Sequence, residues 1–184
     1  MMPLPGYLDL SESQLWRAPY LFPLKQKHNQ LSSKKFKIGI KCNGNPYFSQ
    51  DQYRCIDRDQ MIQALPYNDP DVEIYYFDKV HTDPRTINLK DQLDSWEDTL
   101  DLLSQMDMVV SSCTSLVHAA GSMGVRTVVV VPIAEYYTWT SSRTDETTPW
   151  YGNNFTVVKQ SQVRSWAEPL ARVTELVEAE RRGS

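Results

Sequence analysis

Near the middle of the chain, Ser111-Ser-Cys-Thr-Ser-Leu-Val-His118 leads into Ala119-Ala-Gly-Ser-Met-Gly124. Small hydroxyl residues followed by this run suit a strand that ends directly in a helix, with Thr114 or Ser115 as N-cap. The free N–H groups and positive dipole end of such a helix form an anion site when they face a ligand crevice. Plain capping by the same hydroxyls is the competing reading. His118, one turn into the helix, reads on its own as a core histidine. Cys113 sits at a helix entry, which lowers a thiol pKa, with His118 near in sequence. No other catalytic partner is evident, so Cys113 reads as buried and inert. The small residues Ala119, Ala120, Gly121 and Ser122 would let the helix lie close to a sheet.

A second group follows an earlier apolar stretch: Gly44 and Asn45 at a loop tip, then Arg54. Glycine permits close backbone approach to a ligand, and arginine offers a fork of donors for phosphate oxygens. An Asn-Gly turn beside a solvated arginine explains the same residues without a ligand. There is no Walker loop and no Gly-x-Gly-x-x-Gly fingerprint. Asp57-Arg-Asp59 has the Asp-x-Asp form of metal-dependent sugar transferases, yet it stands where a helix should start and reads as capping. Tyr136, Tyr137, Trp139, Trp150 and Tyr151 crowd one long loop, where they stack on a base or sugar, close over the crevice, or pack the loop itself. No metal and no cofactor is expected.

These residues need a scaffold, and the hydrophobic pattern supplies one. Strands are expected near 36–40, 72–77, 107–111, 126–131 and 155–158, and helices over 59–65, 98–106, 115–123 and from 165 to about 181. Gly124 suits the C-terminal cap of the third helix. Ser165-Trp-Ala-Glu168 has the form of a capping box for the last. Strands alternating with helices predict an α/β Rossmann-like three-layer domain with a mostly parallel sheet, over residues 35–184. Residues 1–34, punctuated by Pro3, Pro5, Pro19 and Pro23, read as an irregular arm with one short helix around 13–17. In such sheets ligands bind beyond the carboxyl ends of the strands.

Composition narrows the function classes. The chain has 184 residues, 19 basic against 23 acidic, for a net charge of −4, and a pI near 5.4. Nucleic-acid binders advertise a basic surface, so no nucleic-acid partner is expected. Three scattered cysteines without a Cys-x-x-Cys read as reduced thiols, and a cytoplasmic location is expected. The longest apolar run, Val128 to Val131 with Pro132 and Ile133 beyond, is too short for a membrane span. The first residues lack the basic and apolar regions of a signal peptide.

Taken together, Ile38-Gly-Ile-Lys-Cys-Asn-Gly-Asn-Pro46, Asp51-Gln-Tyr-Arg-Cys-Ile56, Asp94-Ser-Trp-Glu-Asp-Thr99, Ser111-Ser-Cys-Thr-Ser-Leu-Val-His118 and Thr148-Pro-Trp-Tyr151 form an ordered series. It resembles the C-terminal lobe of bacterial glycosyltransferases that often follow tetratricopeptide repeats. These are distant relatives of the heptosyltransferases and of O-linked N-acetylglucosamine transferase. The resemblance covers roughly residues 36–180, and Pro5-Gly-Tyr-Leu resembles the segment that precedes this lobe. It implies a GT-B architecture, in which two facing Rossmann-like lobes bind a nucleotide-sugar donor, UDP-linked here, mainly through the C-terminal one. The implied donor-binding residues are Gly44, Asn45, Arg54, Thr114, Ser115, Leu116 and His118, with Asp94 and Thr99 toward the nucleoside or, alternatively, capping a helix. The family motif Asp-Thr-Ser/Gly-x-x-His carries an aspartate where this chain has Cys113. The expected function is therefore the donor-binding lobe of a metal-independent glycosyltransferase. The alternative is a non-catalytic nucleotide-binding or interaction module that keeps the half-fold.

Overall fold

The computed structural model describes residues 8–11, 14–15, 19–24, 31, 34–80, 82–133, 139 and 146–183. Six strands form one sheet: β1 (Phe36–Lys41), β2 (Val72–Tyr76), β3 (Ile87–Asn88), β4 (Met108–Ser112), β5 (Thr127–Val131) and β6 (Phe155–Lys159). Among the described residues five α-helices accompany them: α1 (Asp51–Arg54), α2 (Arg58–Gln63), α3 (Trp96–Leu103), α4 (Ser115–Met123) and α5 (Ala167–Gly183). The strand order is β3-β2-β1-β4-β5-β6, and every neighbouring pair is parallel. The expected Rossmann-like α/β fold is therefore present, in the doubly wound order. Successive strands run from β1 outward to β3, and the chain then returns to the other side of β1 as β4. The sheet's switch point thus lies between β1 and β4.

The central strands are apolar on both faces because helices cover both. Ile38, Ile40, Met108, Val110, Val128 and Val130 pack with Met61 and Ile62 of α2 and Leu170, Val173 and Val177 of α5. On the other face Tyr75, Phe77 and Val109 meet Leu100 and Leu103 of α3 and Leu116, Ala119 and Ala120 of α4. Gly124 ends α4 at φ 76°, and Val125 N–H returns to Ala120 O at 3.1 Å. Gly121 has a different duty: a Cβ there would lie 2.8 Å from the Phe155 ring and 2.9 Å from that of Tyr151.

The structure departs from the sequence reading in several places. β3 was not expected, since a two-residue edge strand leaves no alternation to detect. β4 and α3 start one residue later and two residues earlier than predicted. Helix α3 is the one opened by a capping box, between Ser95 and Asp98. The box expected at Ser165 and Glu168 is not formed: Glu168 accepts from Ser161 Oγ, and Ser165 N–H donates to Gln162 O. The exposed edge of β6 is met by the loop before it, with Val157 N–H donating to Glu146 O at 2.8 Å and Glu146 held by Arg172 at 2.9 Å. Of the arm and the long loop, the short helix around 13–17 falls largely outside the described residues, as do Tyr136 and Tyr137. No helix among the described residues is long and apolar enough to cross a membrane.

Candidate functional site

At the switch point a groove of about 330 Å³ opens between the carboxyl ends of β1 and β2 and the N-termini of α3 and α4. Lys41 closes β1, Phe77 and Lys79 follow β2, and Leu93, Asp94, Ser95, Trp96 and Thr99 come from the approach to α3 and its first turn. Ser115 and Leu116, the first two residues of α4, complete the lining.

The entry to α4 is built so that its backbone donors stay available. Thr114 occupies the N-cap with extended φ −131° and ψ 171°, but its side chain makes no capping hydrogen bond. It is buried, and its Oγ1 lies 3.3 Å from Ser111 Oγ, which itself donates to Lys41 O at 2.9 Å. The expectation that Thr114 or Ser115 caps the helix is met in position only. The first-turn N–H groups, not capped by the Thr114 side chain, carry the positive end of the helix dipole to the groove.

Two lysines add charge to this rim. Lys41 Nζ donates to Phe77 O at 2.9 Å and stands 3.5 Å from Asp78 Oδ2, while Lys79 Nζ is 3.7 Å from Asp94 Oδ1. Across the groove, Ser95 Oγ donates to Asp98 Oδ2 at 2.6 Å and accepts from Asp98 N–H at 3.2 Å. This box fixes the first turn that presents Trp96, which is 56% exposed, and Thr99, whose hydroxyl donates to Ser95 O at 3.1 Å. Asp94 precedes the box and takes no part in it.

Of the residues singled out from sequence, Asp94, Thr99, Ser115 and Leu116 line this one groove, with Thr114 buried beside it. Gly44, Asn45 and Arg54 do not line it and form a separate group that meets the α4 entry at Cys113 O. Arg54 turns inward: Nε donates to Asp51 Oδ1 at 2.7 Å and Nη1 to Cys113 O at 2.8 Å, and the guanidinium lies 5.0 Å from the centre of the Phe48 ring. Gly44 is needed because any Cβ would collide with that guanidinium. The close approach that glycine permits is thus to the chain's own arginine. Asn45 holds the loop tip, accepting from Tyr47 N–H through Oδ1 at 3.0 Å.

His118 does not line the groove. Its Nδ1 is 2.7 Å from Tyr151 Oη, and its ring stacks on Trp139 at 5.1 Å. Burial pushes its pKa below the usual histidine range, so the ring is neutral at pH 7. The same indole donates through Nε1 to Cys113 Sγ at 2.7 Å. Burial raises the Cys113 pKa, outweighing the Trp139 N–H and the nearby Arg54 charge. The thiol is therefore protonated and inert, as expected. Asp57 caps α2 by accepting from Gln60 N–H at 3.0 Å, and Asp59 pairs with Arg85 at 2.6 Å. Among the described residues no cluster of His, Cys, Asp and Glu is arranged to hold a metal ion.

Sequence reading missed Lys41, Phe77, Lys79, Leu93, Ser95 and Trp96. The signal for the first three was positional, since Lys41 ends a strand that flanks the switch point and Phe77 and Lys79 follow the strand next to it. Comparison with protein-family models, with curated proteins and with solved structures finds no match.

Proposed function

We propose that this chain is the donor-binding lobe of a cytoplasmic, metal-independent glycosyltransferase of the two-lobed GT-B kind, taking a UDP-linked sugar. The observation that carries this reading is the uncapped N-terminus of α4, opening at the switch point into a groove rimmed by Lys41 and Lys79. A diphosphate beside that terminus would meet oriented N–H groups and ammonium charge. Leaving-group charge developing on it would be stabilised without a cation. The nucleoside would lie toward Trp96, Leu93 and Phe77, with Asp94 accepting from ribose hydroxyls. A facing lobe would bring the acceptor and its base.

One observation favours the non-catalytic alternative. Cys113, where the family has an aspartate, is bound to Trp139, and His118 is bound to Tyr151. Neither is left to act on a substrate in the groove, so nucleotide binding is the activity that the described residues support best.

Calorimetry with UDP, ADP and GDP, each with and without EDTA, tests the reading. UDP should bind, with heat unchanged by EDTA. Charge-assisted hydrogen bonds are worth roughly 1.5–3 kcal/mol, so Lys41→Ala should weaken binding about tenfold or more. Arg54→Ala should weaken it to a similar extent by releasing the Gly44 loop from the α4 entry. No heat with any nucleotide, or strict dependence on magnesium, would overturn it.

A further inference from the structure

We infer that residues 19–24 of the arm are a strap that sets the width of the groove, acting on the two helices whose N-termini form it. This rests on the nucleotide-binding reading for its consequence, though not for its geometry.

The strap is fastened at both ends. At the C-terminal end of α4, Tyr20 N–H and Leu21 N–H both donate to Ser122 O, at 2.9 and 3.2 Å. Last-turn carbonyls have no partner within their own helix, so the arm completes this end. Ser122 Oγ donates to Tyr20 Oη at 2.8 Å, and Pro19 fills the space beside Gly124, where a Cβ would fall 2.5 Å from its ring. At the first turn of α3, Leu24 N–H donates to Glu97 Oε1. Glu97 lies between Trp96 and Thr99, which both line the groove.

Between the two fastenings Leu21 packs against the apolar cluster that α3 and α4 share. Further along, Leu31 packs on the same cluster and donates its N–H to Gln105 Oε1 at 2.9 Å. The arm therefore ties α4 to both ends of the α3 segment from outside the sheet. Fixing two helices in this way holds the groove in its binding shape before a ligand arrives, which reduces the ordering cost of binding.

The test compares Leu21→Ala, which removes the packed side chain, with Leu24→Pro, which removes the N–H to Glu97 and fixes φ at a position whose own side chain is exposed. Val173→Ala, in α5 on the opposite face of the sheet, serves as a control for lost stability. UDP affinity should fall about fivefold to tenfold in both arm variants and hold in the control. Unchanged affinity in the arm variants, or an equal loss in all three, would overturn the inference. If Leu21→Ala does not fold, Leu24→Pro carries the comparison.

Should the parent chain bind no nucleotide, the functional proposal falls and hydrogen exchange decides the strap. Amides of residues 99–103 and 119–122 should then exchange severalfold faster in the arm variants than in Val173→Ala. Equal exchange would overturn it.

Discussion

Ser112 is fully buried at the end of β4, and its hydroxyl has no hydrogen-bond partner among the described residues. A buried polar group left unpaired costs about 1–3 kcal/mol. Ser112→Ala should accordingly leave stability unchanged or raise it by up to about 1 kcal/mol, read by urea denaturation. Gly121→Ala should do the reverse and cost about 1–3 kcal/mol, because its new methyl group meets the Phe155 and Tyr151 rings. A clear loss in the serine variant, or none in the glycine one, would contradict this account of the packing. At this scale the sequence was partly legible. Residue type told that Cys113 would be inert and that Gly44 would allow a close approach. It could not tell that Arg54 would turn inward against Gly44, nor that His118 would turn to Tyr151. Arg54 is held there by the Cys113 carbonyl, and both Cys113 and Tyr151 lie far from their partners along the chain.

Among the elements, the loop leading to β3 depends on charge. Asp83 is buried and accepts from Arg85 Nε and Nη2, each at 2.9 Å, and from Arg85 N–H at 3.0 Å. Arg85 also pairs with Asp59 on α2, and Arg58 Nη1 donates to Thr82 O at 3.0 Å. The Arg85 hydrogen bonds hold the Asp83 carboxyl down at about 2. The unfolded chain, with an ordinary aspartate near 3.9, takes up the proton first as pH falls. The contribution is therefore complete above about pH 5 and is lost progressively toward pH 2. Denaturation followed from pH 6 to pH 2 should show that loss, and Asp83→Asn should flatten part of it. An unchanged slope in the variant would argue against the network. The same loop shows why element prediction stopped short. Five strands announced themselves through alternation or through apolar runs, whereas β3 is defined by pairing of Ile87 with Tyr75 and Asn88 with Tyr76. The Ser95 capping box was not legible because its N3 residue, Asp98, is an aspartate, while the box at Ser165 had the right letters and the wrong local turn.

For the molecule as a whole, the expected behaviour is donor binding without acceptor transfer. Transfer needs an acceptor hydroxyl in line with the anomeric carbon and a base within about 2.6–3.2 Å of its proton. His118 is committed to the aromatic cluster, and among the described residues lining the groove Asp94 alone is a carboxylate. Nucleotide-sugar consumption by the isolated chain should therefore be confined to slow hydrolysis, with or without candidate acceptors. Acceptor-dependent release of nucleotide would show that catalytic groups lie elsewhere on this chain. The architecture was more legible than the site, since a layered domain with a mostly parallel sheet follows from alternating strands and helices. The groove depends instead on which strand ends become neighbours, a property of strand order that local pattern does not contain.

The two borders of that sheet have a consequence for how copies of the chain meet. An open strand is a template on which another chain can add by backbone pairing, and this is how ordered aggregates begin. Here one border is only two residues long, at β3. At the other, Phe155 and Val157 give their N–H groups to Gly152 and Glu146. Growth by strand addition is thereby denied a landing site on β6 for as long as Arg172 keeps Glu146 in place. Arg172→Ala should make concentrated solutions seed thioflavin-positive fibrils sooner than the parent chain, and equal lag times would show that the border is guarded by something else.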